Sequence, residues 1–479
     1  MEKDGALELG GKGVVHEGRV VVVVGAGYVG LTYAAGLAAR GFSVRCVDVN
    51  PDVVEAVNSG RTPIDEPGLG DALERARAAG LLEATTDLGR ALRGASVAMV
   101  CVGTYCDDEG RIDLSHVREA SRALGRALPG AGSHVVVTVK STVIPGTTDG
   151  VVKPILEEVS GMLCGRDFGL CMSPEFLREG NALHDITHPD KVVIGGYDRA
   201  SIEGLRPFLV PEDAGGGSGG GAPVPVVETD LRTAELIKYA QNAFLATKIS
   251  FINELALLAE KFGVNVGDVA RAMGLDHRIS PAFLNAGAGF GGSCFPKDVL
   301  ALAKAAEQVG VEPVMLGATL RANDRQKLHP VCLLEEMTGD GWIRGRRVAV
   351  LGLAFKPNTG DTRQAVSRSV LDALLGASAG SVVVHDPSEM AVEEVRETYG
   401  GRLVYASSVE ECLRGADAAL LLTEWEEYRG LGPEAFTSNM NRPPVVVDAR
   451  RVYDRGTFER AGVKIRVIGE SDDRSFVPP

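Results

Sequence analysis

No stretch of the 479 residues approaches the roughly 20 consecutive apolar positions that a membrane-spanning helix needs. The eight cysteines (46, 101, 106, 164, 171, 294, 332 and 412) form no CxxC pair and no zinc-ligand spacing. No metal site is therefore expected, and reduced thiols in a cytoplasmic protein fit best. A basic excess is lacking too. The net charge of −14 argues against a broad nucleic-acid-binding face, although a few placed cations or a helix N-terminus would still hold a small anion. The first 18 residues carry acids and glycines but no apolar h-region, and read as a frayed tail rather than a secretory signal. No fixed-period repeat is present.

What remains is an ordinary globular composition, 45% apolar and 24% charged, long enough for two or three domains. The run RVVVVVG (19–25) predicts a strand buried on both faces, followed by a helix from Tyr28 to Arg40 and a second strand ending at Asp48. Further strand-like runs at 97–102, 134–139 and 192–194 alternate with helical patterns, which indicates a doubly wound sheet. GGGSGGGA (215–222) is a flexible linker by composition. A helix is expected from about Thr229 to Lys261, and strand–helix alternation restarts at Arg346. The expected fold is α/β, with two Rossmann-like doubly wound lobes joined by a long central helix and a helical connector domain. The expected boundaries are a tail over 1–18, a first lobe over 19–213, a linker over 214–228, a helical region over 229–328 and a second lobe over 329–479.

Gly25-Ala-Gly27-Tyr28-Val29-Gly30 follows a strand, opens a helix and precedes Asp48 at the spacing of an acidic ribose partner. The first glycine allows a tight turn, the second a close approach of backbone to pyrophosphate, and the third close helix–strand packing. Dinucleotide binding is expected. The Asp48 carboxylate would repel a 2′-phosphate, which favours NAD over NADP.

A second glycine pattern occurs in GAGFGGSCFPKD (287–298), but no β-branched run precedes it and no immediate helix is expected after Gly292. It reads as a flexible loop that presents Cys294. Lys297 and a helical run from Asp298 would both favour the thiolate there.

Lys238 and Asn242 share one face of the long helix with Leu245, Ile249, Ile252 and Ala256. That face points toward packed protein, so Lys238 needs an anionic partner or a function, unless it snorkels out at the end of the stripe. Ser173-Pro-Glu-Phe-Leu-Arg-Glu-Gly180, if helical, puts Glu175 and Glu179 on one face, as a candidate base or as a solvated surface. Lys140-Ser-Thr142 ends a buried strand where such sheets border their cofactor crevice.

GAGYVG (25–30), VGT (102–104), KST (140–142), SPEFLREG (173–180), TDLRTAELIKYAQNAFLATKISFINE (229–254), HRI (277–279), GFGGSCFPKD (289–298) and LGLAFKPNTGDTR (351–363) together resemble the UDP-glucose/GDP-mannose dehydrogenase family. The resemblance runs in one order from about Arg19 over nearly the whole chain. It implies NAD-dependent, four-electron oxidation of C6 of a nucleotide sugar. UDP-glucose to UDP-glucuronate leads, with TDP-glucose or another nucleotide hexose as the alternative.

By the same resemblance, Cys294 forms a thiohemiacetal and then a thioester. Lys238 and Asn242 stabilise the oxyanion, and Glu175 assists thioester hydrolysis. Thr142, Glu179 and Asp298 position water and cofactor, while Thr104, Lys297 and Arg363 fall at cofactor positions. Phe176, Leu177, Phe283, Gly291, Phe295, Lys356 and Arg450, with Glu179, fall around the nucleotide sugar in the same way. Arg278 would reach the substrate of a neighbouring subunit, which implies a homodimer or a higher homo-oligomer formed through the 229–328 region. Three features depart from the family pattern. Tyr105 stands in place of a proline, GGGSGGGA is inserted before the long helix, and TGDTRQAVS replaces the commoner DDxRES.

Overall fold

The computed structural model describes residues 16, 18–107, 109–211 and 223–471, so most of the expected tail and all of the 215–222 stretch lie outside the described residues. The chain folds as two compact units, one up to Gln241 and one from Asn242. Among the described residues no helix is long and apolar enough to cross a membrane.

In the first unit the strands are β1 (Val20–Val24), β2 (Ser43–Val47), β3 (Leu82–Thr85), β4 (Ala95–Val100), the small antiparallel pair β5 (Tyr105–Cys106) and β6 (Ile112–Asp113), then β7 (Val136–Val139), β8 (Gly169–Met172), β9 (Val192–Gly196) and β10 (Val226–Thr229). The main sheet runs β10-β9-β8-β7-β4-β1-β2-β3. It is parallel except where β8 meets β9. Successive valines of β1 serve opposite faces. Val21 and Val23 pack with Leu31 and Ala35 of the helix Tyr28–Ala39, whereas Val22 and Val24 pack with Val137 and Val139 on the other face. An all-apolar strand is the consequence of a sheet covered on both sides.

The second unit repeats the plan with β11 (Arg347–Leu351), β12 (Ser381–His385), β13 (Val404–Tyr405), β14 (Ala418–Leu421), β15 (Val445–Asp448) and β16 (Lys464–Val467), ordered β13-β12-β11-β14-β15-β16. Val348 and Val350 face one core, Ala349 and Leu351 the other. The short strands β3, β8, β10, β13 and β16 were not expected from their sequences. β3 and β16 carry charged residues, and β8 (GLCM) and β13 (VY) are too short for a periodic signal.

The long helix spans Leu231–Phe262, close to the expected limits. It begins where it does because the Asp230 carboxylate accepts the Thr233 N–H at 2.9 Å and its hydroxyl at 2.6 Å.

Two local expectations are corrected. Residues 173–178 are not helical, and the first helix after them is Ala182–Thr187. Carboxylates take the N–H groups that a helix would use: Glu175 accepts from Leu177 (2.6 Å), Asp185 from Arg178 (2.8 Å), and Glu66 from Gly180 (2.6 Å) and Ala182 (2.7 Å). Glu175 and Glu179 therefore share no helix face.

The second correction concerns residues 287–292, which form a loop, but a buried and bonded one rather than a flexible one. Asn253 accepts the Gly287 N–H, and Asn323 both accepts from the Phe290 N–H and donates to its carbonyl. A helix also follows at once, Phe295–Gln308, with Pro296 in its first turn.

Candidate active site

The first unit builds a dinucleotide turn from backbone outward. Gly25 follows β1 directly at φ +97°, and its N–H donates to the Val47 carbonyl at 2.8 Å. A Cβ there would sit 3.0 Å from the Cys101 carbonyl oxygen, and one on Gly30 would sit 1.9 Å from the Gly25 carbonyl oxygen. A Cβ on Gly27 would meet nothing within 4 Å. The outer two glycines are therefore consumed by the fold, while the middle one leaves open space before the helix N-terminus, as close approach of a pyrophosphate requires.

Asp48 accepts the Ala26 N–H at 2.8 Å through one oxygen and the Asn50 N–H at 2.9 Å through the other. Each oxygen keeps acceptor capacity for a ribose hydroxyl. These residues fit NAD, which supplies the hydride acceptor when bound.

The second unit has the same device in another state. Gly352 (φ +100°) donates to the His385 carbonyl at 2.9 Å, and Asp386 accepts from Leu353 at 2.6 Å and Ser388 at 2.9 Å. Asp386 also takes the Ala354 N–H and the Trp425 indole N–H, and is buried. A Cβ on Gly352 would lie 2.5 Å from Thr423, and no helix begins until Val366. Its acid is engaged by protein, and no helix N-terminus follows the turn, so the cofactor turn belongs to the first unit.

The two kinds of glycine in the first turn should behave differently. Gly30→Ala is expected to lower the melting temperature, since the clash is with backbone and overpacking costs about 2 kcal/mol or more. Gly27→Ala should keep the wild-type melting temperature and weaken NAD binding. Thermal melts and NAD titration of both variants check this.

Also in the first unit, Lys238 and Glu175 form an ion pair of 2.8 Å, both side chains being under 10% exposed. Lys238 does not snorkel; it turns inward. Burial pushes the Glu175 carboxyl up, but the charge and hydrogen bond of Lys238, the Leu177 N–H and the charge of Lys140 outweigh this and hold it below the usual carboxylate range. Phe176 lies beside the pair, with Lys191 4.3 Å and Lys238 5.6 Å from its ring centre. Leu177 is half-buried and supplies the N–H just described. Thr104 donates to the Thr142 carbonyl at 3.0 Å, which ties the end of β4 to the segment after β7.

Glu66 was not anticipated. It accepts the Tyr28 hydroxyl as well as the Gly180 and Ala182 N–H groups, and so fastens the segment bearing Glu175 and Glu179 to the cofactor turn. Its partners lie up to 116 residues away, and no local pattern signals them.

In the second unit, Cys294 is exposed and occupies the cap position of the helix Phe295–Gln308. Its neighbours in that helix form a chain. Lys297 is paired with one oxygen of Asp298 at 2.6 Å, and Asn242 donates to the other at 2.7 Å. The Lys297 charge is thus shared with Asp298.

The other thiols differ. Burial pushes Cys46, Cys101, Cys164 and Cys412 up to about 12, and Cys171 up as well. Burial together with Glu335 and Glu336 raises Cys332. Of the exposed thiols Cys294 and Cys332, Cys294 is the one set at a helix N-terminus, whose partial positive charge favours an anion.

The glycines before Cys294 are required by the protein's own packing. A Cβ on Gly289 would meet Asn323 at 2.7 Å, on Gly291 the Gln364 carbonyl at 2.5 Å, and on Gly292 the Phe355 ring at 2.9 Å. Around them, Phe295 lies 6.1 Å from Phe283 and 6.0 Å from Phe290, ring centre to ring centre. Arg450 donates to the Leu422 carbonyl at 2.5 Å and pairs with Glu424 at 3.2 Å, and Lys356 lies 5.4 Å from the Phe355 ring centre. Arg363 pairs with Asp361, and Arg278 with Asp276, both on the surface of this chain. Glu179 is half-buried beyond Glu175.

Comparison with known proteins follows the same layout. Three models of the UDP-glucose/GDP-mannose dehydrogenase family match in order: the NAD binding domain at residues 19–208, the central domain at 232–325 and the UDP binding domain at 349–455. UDP-glucose 6-dehydrogenase AglM of Haloferax volcanii is 43% identical over 436 residues, covering 90% of this chain and 97% of that relative. A UDP-glucose dehydrogenase structure from Pyrobaculum islandicum superposes with a TM-score of 0.85 at 39% identity, covering 95% and 98% of the two chains. A UDP-D-ManNAc dehydrogenase from Pyrococcus horikoshii gives 0.80 at 26% identity, covering 95% and 100%. With a buried Lys–Glu pair, a capping cysteine and an NAD turn now placed on the fold, the chain belongs to the UDP-glucose/GDP-mannose dehydrogenase family of NAD-dependent nucleotide-sugar dehydrogenases.

Proposed function

We propose that this protein oxidises C6 of UDP-glucose to the carboxylate of UDP-glucuronate in two hydride transfers, through a thioester on Cys294. The observation that carries the reading is the exposed Cys294 thiol at a helix cap, in a chain whose other thiols are mostly buried. A two-electron alcohol dehydrogenase has no use for such a group. UDP-glucose is favoured because the H. volcanii relative is a UDP-glucose 6-dehydrogenase and a UDP binding domain matches 349–455.

In this mechanism Lys238 and Asn242 hold protons toward the C6 oxygen as negative charge builds on it. The Cys294 sulfur adds to the aldehyde carbon to give a thiohemiacetal, which loses hydride and a proton to leave the thioester. Glu175 orients a water on the thioester carbon and takes its proton, and the thiol is released as the carboxylate forms. Thr142, Glu179 and Asp298 position that water and the cofactor. Asp298 does so through the Lys297 and Asn242 contacts it already makes. Thr104, Lys297 and Arg363 hold the cofactor, Phe176, Leu177, Phe283, Gly291, Phe295, Lys356 and Arg450 hold the nucleotide sugar, and Arg278 reaches the substrate of a neighbouring subunit. A cytoplasmic, reducing setting belongs to the reading, since the Cys294 thiol must stay reduced.

A homodimer or higher homo-oligomer is part of the same proposal. Phe244, Phe251, Leu258 and Phe262 on the long helix are 66%, 50%, 44% and 47% exposed, at spacings that keep them on one side. Such a stripe is suited to a second copy of the chain.

The test is kcat/KM across UDP-glucose, TDP-glucose, GDP-mannose and UDP-N-acetylmannosamine. UDP-glucose is expected to lead by at least about tenfold, the discrimination that one or two lost hydrogen bonds supply. A lead by the N-acetylated sugar or by GDP-mannose would overturn the substrate assignment.

A further inference from the structure

Beside the Lys238–Glu175 pair the first unit buries a second lysine. Lys140 is 1% exposed and follows β7 directly. Its ammonium has neutral hydrogen-bond partners, the Ser173 hydroxyl at 3.3 Å and the Pro174 carbonyl at 3.5 Å, and lies 4.2 Å from the Tyr33 ring centre. Ser173 and Pro174 are the two residues before Glu175. The groups facing Lys140 come from four other elements: Cys101 after β4, Tyr33 on the first helix, Glu175 after β8, and Lys238 on the long helix. One carboxylate thus stands among two lysines, with Lys238 in direct contact and Lys140 acting on it through space.

Burying an ammonium without its own carboxylate is costly, and a purely structural core would fill this place with an apolar side chain. The cluster makes sense if one of its cations is to be lent elsewhere. We propose that Lys140 is a positioning residue that serves as the reserve counter-ion of Glu175, keeping that carboxylate ionised while Lys238 turns its proton to the C6 oxygen. This rests on the proposed function above. Without Lys140, the moment Lys238 engages the substrate oxygen would leave Glu175 a lone buried anion, and it would protonate instead of activating water. Burial, with the like charge of Lys238 adding to it, lowers Lys140 to about 7 against the opposing pull of Cys101 and Glu175, so the cluster carries its extra positive charge most fully below neutral pH. That is the range in which Glu175 is most at risk of protonation.

The test is the pH profile of kcat for Lys140→Met, a substitution of similar length that removes the charge. The acid limb is expected to move toward higher pH, so that kcat at pH 6 falls on the order of tenfold relative to its value at pH 9, with KM for NAD and sugar within about twofold of wild type. Lys140→Gln gives the same readout should the methionine variant not fold. A folded variant whose acid limb coincides with wild type would overturn the role of Lys140, even if kcat were uniformly lower. Wild-type protein that makes no carboxylate from UDP-glucose would instead refute the proposed function itself.

Discussion

Cys294→Ala is expected to bind NAD as tightly as wild type and to form no carboxylate, with kcat for UDP-glucuronate reduced at least ~10⁴-fold. The binding half of this expectation follows from which groups hold NAD in the proposed mechanism. They are the glycine turn, Asp48, Thr104, Lys297 and Arg363, and Cys294 is not among them. The fold should be unaffected, because an exposed side chain at a helix cap contributes little packing. The chemical half follows from what the thiol does. Without sulfur to hold C6 as a thioester, the second oxidation would have to act on a free or hydrated aldehyde. Rapid-quench analysis of the sugar products and NAD titration by fluorescence check both halves. Carboxylate formed at the wild-type rate would remove Cys294 from the mechanism.

Lys238→Met should be costly in both stability and rate. It leaves the Glu175 carboxylate buried without its direct partner, and breaking such a pair from one side costs about 3–5 kcal/mol. Loss of a preorganised oxyanion donor lowers kcat about 10²–10³-fold further. The double variant Lys238→Met/Glu175→Gln should recover much of the stability and none of the activity, because replacing both charges removes the orphaned carboxylate but supplies no catalyst. The pH dependence has a defined sign. Glu175 is held below its ordinary value in the folded protein, so its contribution is complete above the unfolded glutamate value of about 4.3 and is lost as pH falls through the lower folded value. Wild type and Lys238→Met should therefore differ most in denaturant melts above about pH 5 and converge in acid. A single variant as stable as wild type at pH 7 would contradict the account of the pair.

Parts of this arrangement were legible in the sequence because the physics is local. An all-valine β1, a glycine turn, a helix and an acid at the end of β2 define the cofactor turn without any long-range knowledge. The inward face of the long helix was readable for the same reason: Lys238 and Asn242 fall on the stripe that is buried.

Segments whose backbone is satisfied by distant side chains were misread. SPEFLREG has a helix-capping composition, yet Glu66 and Asp185 claim its N–H groups and residues 173–178 are not helical. GAGFGGSC has a flexible composition, yet Asn253, Asn323 and Gln326 pin it and its glycines admit Phe355 and Gln364. Glu66 escaped notice, and Lys140 was read only as the end of a buried strand at the cofactor crevice, since nothing near either in sequence shows what it touches. A lysine ending the apolar run VVVTVK was the one available hint.

Counting electrons shows whether one thiol holds the sugar between two oxidations. NADH formed per UDP-glucose consumed should be two, with UDP-glucuronate as the product and no aldehyde trapped by an added hydrazine. A ratio of one with free aldehyde in solution would contradict the thioester account.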